Sequence, residues 1–231
     1  MGEIKLLSFD LDDTLWPCEP TIISAENMLY EYLQKHVPKI TQHLDVFQIR
    51  KKRLAFLMQH PELEHDLTAL RLESLRSLAI EFALDDGWVD EAFQIFYEER
   101  QRVTLFDDVA DVLDALKNDY RLVAVSNGNA DIQKTGVGHW FEFAVSAADV
   151  GFMKPHPAVF ETVLAQSNCV AEEVLHIGDD QHSDVFAASQ MGIRSVWLNR
   201  SAEEWQHKAC KADFHINSLS ELPALLDDMK V

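Results

Sequence analysis

Two textures of apolar and polar residues alternate along the chain. From about Thr21 to Arg102 apolar residues recur every three to four positions. In "LTALRLESLRSLAIEFAL", Leu67, Leu70, Ala79 and Phe82 follow this spacing, and "VDEAFQIFYEERQR" repeats it. That period predicts amphipathic helices and no strand in this block. On either side the texture changes to short apolar runs with polar residues behind them. "IKLLSF" runs into acids, "YRLVAVS" into "NGNA", "EEVLHI" into "GDDQHSD", and "RSVWLN" into a polar loop. Helical stretches such as Asp107 to Leu116 and Pro157 to Gln166 separate these runs. Val-, Ile- and Leu-rich runs divided by helices predict buried parallel strands in a layered α/β fold. The expected organisation is a parallel-sheet core from residues 1–16 and 104–231 flanked by helices, with an all-helical domain, 17–103, inserted after the first strand.

Composition narrows the setting. The chain has 231 residues, 47% hydrophobic and 26% charged, enough for one substantial core and a smaller appended domain. A formal net charge of −19 disfavours nucleic acid or an anionic membrane as partner, because both reward concentrated positive charge. Its apolar stretches are too short to span a bilayer. The start, "MGEIKLLSFD", lacks the shape of a signal peptide. Cys18, Cys169 and Cys210 are odd in number and widely spaced, which argues against a disulfide framework or a zinc site and for the cytoplasm. Nothing here fixes the choice between monomer and homodimer. In so acidic a chain, an anionic ligand needs local help from a metal, a lysine or backbone amides.

The polar residues that offer such help follow the strands, and open parallel sheets bind ligands beyond the carboxyl ends of their strands. Four segments would meet at one rim: Asp10, Asp12 and Thr14 from "FDLDDTLW"; Ser126, Asn127 and Gly128 from "SNGNA"; Lys154 from "GFMKPHP"; and Asp179, Asp180 and Asp184 from "GDDQHSD". Read singly, each is ordinary turn or cap chemistry. Their order and placement together point to a site.

Together these motifs resemble the haloacid dehalogenase superfamily, in the branch with a helical cap inserted after the first strand of a Rossmann-like core. The resemblance implies that Asp10 is the nucleophile and Asp12 the general acid and base. It implies that Thr14 and Ser126 hold the nucleophile and the phosphoryl oxygens, that Lys154 is the motif lysine, and that Asp10, Asp179 and the backbone of Asp12 ligate Mg²⁺ while Asp184 orders its water. The chemistry agrees. A carboxylate attacking a phosphate ester needs its charge offset, and hard oxygen ligands suit Mg²⁺. Backbone N–H groups around Asn127 and Gly128 are expected to help Ser126 hold the phosphoryl oxygens.

Asp12 separates two reaction types, because a departing alkoxide needs a proton and a departing halide does not. The family members that dehalogenate carbon lack this acid, so the resemblance implies a phosphatase acting on a small phosphorylated metabolite. More narrowly, "FDLDDTLW", "HDLTALR", "SNGNA", "HWFEF" and "HIGDDQHSD" are similar to a bacterial phosphatase group acting on flavin mononucleotide and ribitylaminouracil phosphate. A phosphomutase, a dehalogenase or a phosphometabolite-binding protein of the same fold are the competing readings. His65, Asp66 and Arg71 read either as an ordinary solvated helix face or as the candidates for substrate choice in the helical block. The "RKKR" run, Arg50 to Arg53, reads as a solvated face or an anion-steering patch. His156, His176 and His182 read as incidental, Asp13 as a turn or cap residue, and Trp16 as packing.

Overall fold

The computed structural model describes residues 3–230. Its sheet has six parallel strands: β1 (Leu6–Phe9), β2 (Arg121–Ser126), β3 (Phe143–Ser146), β4 (Val174–Gly178), β5 (Arg194–Leu198) and β6 (Phe214–Ile216). They lie in the order β3-β2-β1-β4-β5-β6, so the first strand is central and the chain reverses direction across it. All four anticipated strands are present. The two edge strands were not anticipated, because each has only three or four residues and is partly exposed, so neither shows a continuous apolar run. Leu6, Val123, Val125, Val145, Val159, Phe160 and Val174 form the core on one side of the sheet. The helices Val109–Leu116 and Ala158–Ser167 lie within the stretches expected to be helical, give or take a residue.

The chain separates into two compact units. One runs to Pro17 and resumes at Thr104; the other is Cys18–Val103. The second unit is helical throughout, with principal helices Cys18–His36, Val46–Gln59, Leu67–Glu81 and Val89–Arg100. Asp45 starts one of them through a capping box: it accepts from the Gln48 N–H at 2.7 Å, and the Gln48 side chain accepts in return from the Asp45 N–H at 2.8 Å. Asp66 caps Leu67–Glu81 by accepting from the Ala69 N–H at 2.9 Å. Ala25, Leu29, Leu33, Ile40, Leu75, Val89, Ala92 and Phe96 make this unit's own core. Among the described residues, no helix is long and apolar enough to cross a membrane.

Candidate active site

The sheet delivers the candidate residues where its strands end. Asp10 follows β1, and its N–H donates to the Ile177 carbonyl of β4 at 2.9 Å, so the backbone pairing continues to the acid itself. Ser126 closes β2 and Asp179 follows β4. Lys154 enters from the loop beyond β3 and is almost wholly buried. Its ammonium donates to Asp10 Oδ1 at 2.6 Å, to Asp184 Oδ1 at 2.6 Å and to the Val125 carbonyl at 3.0 Å. All three ammonium protons therefore have acceptors. The Asn127 side chain fixes the backbone of this lysine in both directions. It accepts from the Lys154 N–H at 2.7 Å and donates to the Lys154 carbonyl at 3.0 Å.

The stretch "GDDQHSD" works as one piece. Gly178 gives the room: a Cβ there would lie 2.3 Å from Asp184 Cγ. Residues Gln181–Phe186 form a short π-helical turn, a form that recurs at functional sites. Asp180 caps this turn. It accepts from the N–H groups of His182 at 2.9 Å and Ser183 at 2.6 Å, and its own N–H donates to Asp184 Oδ2 at 3.0 Å. The Trp197 indole holds the Asp179 carbonyl at 2.7 Å.

Thr14 and Gly128 lie differently from the resemblance-based expectation. The Thr14 hydroxyl donates to Asp179 Oδ1 at 2.9 Å, so its side chain holds that acid and not Asp10. The Gly128 N–H donates to Ser126 Oγ at 2.9 Å, and so acts on the serine. Asp12 is half-buried and accepts from the Trp16 indole at 2.8 Å. Asp13 adopts a left-handed turn, φ 60°. In the helical unit, Asp66 is occupied as a cap, and Arg71 is buried with its guanidinium 3.3 Å from the Phe96 ring centre. Arg53 of the basic run pairs with buried Glu26 at 2.5 Å, and Lys52 pairs with Glu81 at 2.7 Å, so the run is only partly a solvated face.

His176 was missed. It is fully buried under the acids, with Nε2 3.1 Å from Asp184 Oδ1 and Nδ1 2.9 Å from Ser8 Oγ. Burial lowers its pKa despite the attraction of Asp184, so the ring is neutral. An ionised Asp184 can only accept, which assigns the ring proton to Nε2 and leaves Nδ1 to accept from the Ser8 hydroxyl. A signal was present in the sequence. Ser8 and His176 are single polar interruptions in two apolar runs, and they are direct partners in the β1–β4 register.

The electrostatics show an excess of negative charge. Ligand atoms of Asp10, Asp179 and Asp184 all lie within 4.8 Å of one another. Burial holds Asp10 well above the usual carboxylate range; Lys154 opposes this, while Asp184 and Asp179 add to it. Burial and the nearby Asp184 push Asp179 up to about 7. Asp184 goes the other way: burial disfavours its charge, but Lys154 and His176 prevail and hold it well below the range. For Lys154, burial is outweighed by Asp10 and Asp184, so its pKa rises. Three carboxylates thus share one ammonium, and two of them resist ionisation. An all-oxygen donor set with uncompensated charge fits a hard divalent cation.

A second, half-buried clasp supports the same loop. Arg200 pairs with Asp108 through both terminal nitrogens at 3.0 and 2.9 Å, and donates to the Thr14 carbonyl at 3.2 and 3.1 Å. Asp108 also accepts from the Ser218 hydroxyl and the Leu219 N–H, each at 2.7 Å. The clasp reaches the acids through Thr14, whose hydroxyl holds Asp179.

Known proteins resemble the chain along most of its length. The family model for haloacid dehalogenase-like hydrolases matches residues 4–192. A 5-amino-6-(5-phospho-D-ribitylamino)uracil phosphatase of Escherichia coli K12 is 30% identical over 202 residues, covering 86% of this chain and 84% of that protein. An (S)-2-haloacid dehalogenase of Pseudomonas sp. CBS-3 is 26% identical over 98% of this chain and 97% of its own length. The crystal structure of a 2-haloacid dehalogenase from Pseudomonas syringae pv. Tomato DC3000 superposes with a TM-score of 0.91 and 33% identity, covering 98% and 99% of the two chains. With its acids and lysine placed at the strand ends of a parallel sheet, the chain belongs to the haloacid dehalogenase-like hydrolases and is an enzyme of that class.

Proposed function

We propose that the chain is a Mg²⁺-dependent phosphomonoester hydrolase that works through an aspartyl phosphate on Asp10. The observation that carries this reading is the cluster of Asp10, Asp179 and Asp184 around Lys154, with a further acid, Asp12, two residues beyond Asp10. The carboxylates of Asp10 and Asp179 and the carbonyl of Asp12, with Asp184 alongside, would hold Mg²⁺, which would supply the charge neutralisation that one ammonium among three carboxylates leaves incomplete.

The residues divide the work as follows. A carboxylate oxygen of Asp10 bonds to phosphorus as the bond to the ester oxygen breaks, and the departing oxygen takes a proton from Asp12. Water then attacks the same phosphorus and gives its proton to the Asp12 carboxylate. The bond between phosphorus and Asp10 breaks, phosphate leaves, and both acids regain their starting states. Lys154 steadies Asp10 and offsets its charge. Because Ser126 Oγ already accepts from the Gly128 N–H, its own proton is directed to a phosphoryl oxygen, beside the backbone N–H of Asn127.

A small phosphorylated metabolite is the substrate class, and we assign its selection to the helical unit. Flavin mononucleotide or its ribitylaminouracil phosphate precursor is the proposed preference, supported by the sequence motifs and, for the precursor, by the Escherichia coli relative. A second reading, carbon–halogen hydrolysis, has the 33% identical dehalogenase structure in its favour. Against it stands Asp12, since halide departure has no use for a proton donor. The test is phosphate release across an aryl phosphate, sugar phosphates and flavin mononucleotide, with chloride release from 2-chloropropionate in parallel. Mg²⁺-dependent phosphate release that vanishes in Asp10→Asn is the expected result, fastest on the flavin and ribityl esters. Chloride release without phosphate release overturns the phosphatase reading. Flavin mononucleotide turning over no faster than simple sugar phosphates overturns the substrate preference alone.

A further inference from the structure

Trp16 lies entirely inside the protein, yet its indole carries an N–H that burial forces to find an acceptor. The acceptor is Asp12 Oδ1 at 2.8 Å. The backbone around the pair is closed on itself. The Asp13 N–H donates to the Trp16 carbonyl at 2.7 Å, the Leu15 N–H donates to the Leu11 carbonyl at 2.8 Å, and Asp12 and Trp16 form a bridge. From outside, Arg200 grips the Thr14 carbonyl inside the same loop. The indole therefore sits in a loop fixed at several points, and the one polar atom it presents is directed at the carboxylate two residues beyond Asp10.

We infer that Trp16 is a positioning residue for proton transfer by Asp12: its indole N–H fixes one carboxylate oxygen and thereby aims the other at the leaving group. The inference rests on the phosphatase reading above and extends it to a residue that touches no substrate. Each hydrogen bond to an aspartate narrows its choice among staggered side-chain rotamers, and the indole supplies one such bond to Asp12. A general acid contributes only when it is within hydrogen-bond reach of the atom it protonates. The tether matters most when the leaving oxygen is strongly basic, as in a sugar phosphate, and least for nitrophenolate, which departs unaided. Packing alone would not distinguish the two kinds of ester.

The experiment compares kcat/KM, which reports the steps through departure of the leaving group, on a sugar phosphate and on p-nitrophenyl phosphate. Trp16→Phe keeps an aromatic ring and removes the N–H. The expected result is a loss of about 10- to 100-fold on the sugar phosphate, with a loss below about 3-fold on the aryl ester. In an Asp12→Asn background, where no acid remains to aim, the same change should have no further effect on either ester. If Trp16→Phe does not fold, benzothienylalanine at position 16 preserves the indole shape without the N–H and is held to the same expectation. Equal losses on both esters, or a further loss in the Asp12→Asn background, overturn the inference and leave Trp16 a packing residue. A wild-type protein that releases phosphate from neither ester overturns the phosphatase reading itself, and the inference falls with it.

Discussion

Each unit of the protein buries an ionic cluster, and the two differ in which charge is in excess and how completely it is satisfied. In the sheet unit, Lys154 places every ammonium proton on an acceptor, two of them carboxylates, and carboxylates are in excess. In the helical unit, Arg53 and Arg71 share one oxygen of buried Glu26 at 2.5 and 3.7 Å, and arginines are in excess. Among the described residues, buried Arg71 Nη1 has no hydrogen-bond partner, and the guanidinium rests on the Phe96 ring. Burial, with Arg53 close by, holds the Arg71 pKa well below its usual range. The first cluster is fixed by directional bonds throughout, whereas in the second only Arg53 is bound in that way and Arg71 is held by packing. That contrast predicts that substitutions in the first are costly and specific, whereas loss of Arg71 from the second is mild.

The largest expected effect follows loss of Lys154. Lys154→Met leaves Asp10 and Asp184 buried without their cation, and removing one member of a buried pair costs about 3–5 kcal/mol. The lysine's raised pKa means that its contribution is complete at pH 7 and is lost only as pH climbs through that raised value. Expected outcomes are loss of measurable turnover and a lower denaturation midpoint, read by chemical unfolding at pH 7. A midpoint equal to wild type would remove the distinction between the clusters.

Metal-free unfolding against pH probes the excess charge itself. Folded Asp179 keeps its proton until about pH 7, whereas in the unfolded chain a carboxyl loses it near ~4. Between these values the folded state binds more protons, so this group makes stability fall as pH rises and has no further effect above the window. Asp184, with its depressed pKa, has the opposite sign, and its contribution is lost as pH drops below the ordinary range. Thermal melts of wild type and Asp179→Asn from pH 4 to 7 in chelator should diverge, with the wild type losing ground relative to the variant. Mg²⁺ should abolish that divergence and raise the wild-type melting point. Parallel curves would show that the triad is not electrostatically strained.

His176 provides a smaller effect, confined to the cation. His176→Leu removes the ring that holds Asp184 and leaves the Ser8 hydroxyl behind it. Outer partners of metal ligands typically contribute about 10- to 100-fold in affinity, and a weakening of that size in Mg²⁺ activation is expected, with kcat at saturating Mg²⁺ much less affected. An unchanged Mg²⁺ requirement would reduce His176 to a core residue.

The two clusters also differ in how readable they were. Asp10, Lys154, Asp179 and Asp184 were legible because parallel strands buried on both faces read as unbroken apolar runs, and the polar residues behind each run must then share a rim. The central strands share that legibility, whereas β3 and β6 are short edges whose partial exposure erases it. His176 stayed hidden because a lone polar residue inside an apolar run has no meaning until the register sets Ser8 beside it. Trp16 was read as packing because the partner of an indole N–H depends on how the chain turns at Asp13. In the helical unit, periodicity located the helices but not which charged residues fold inward. Arg53 and Arg71 face Glu26 across three helices, and no spacing within one helix encodes that meeting.

Arg71 is the smallest effect and the sharpest test of the contrast. Its stacking on Phe96 contributes up to about 2 kcal/mol as a desolvated cation–π contact. Against this stands a buried N–H without a partner, which costs about 1–3 kcal/mol. These terms nearly cancel, and Glu26 keeps Arg53 after Arg71 is gone. Arg71→Met, which retains the apolar stem and covers the ring, is therefore expected to change stability by less than about 1 kcal/mol, in either direction. Chemical denaturation at pH 7 reads this directly beside Lys154→Met. A loss above about 2 kcal/mol for Arg71→Met would mean that the arginine is held by directional bonds after all, and the two clusters would then be of one kind.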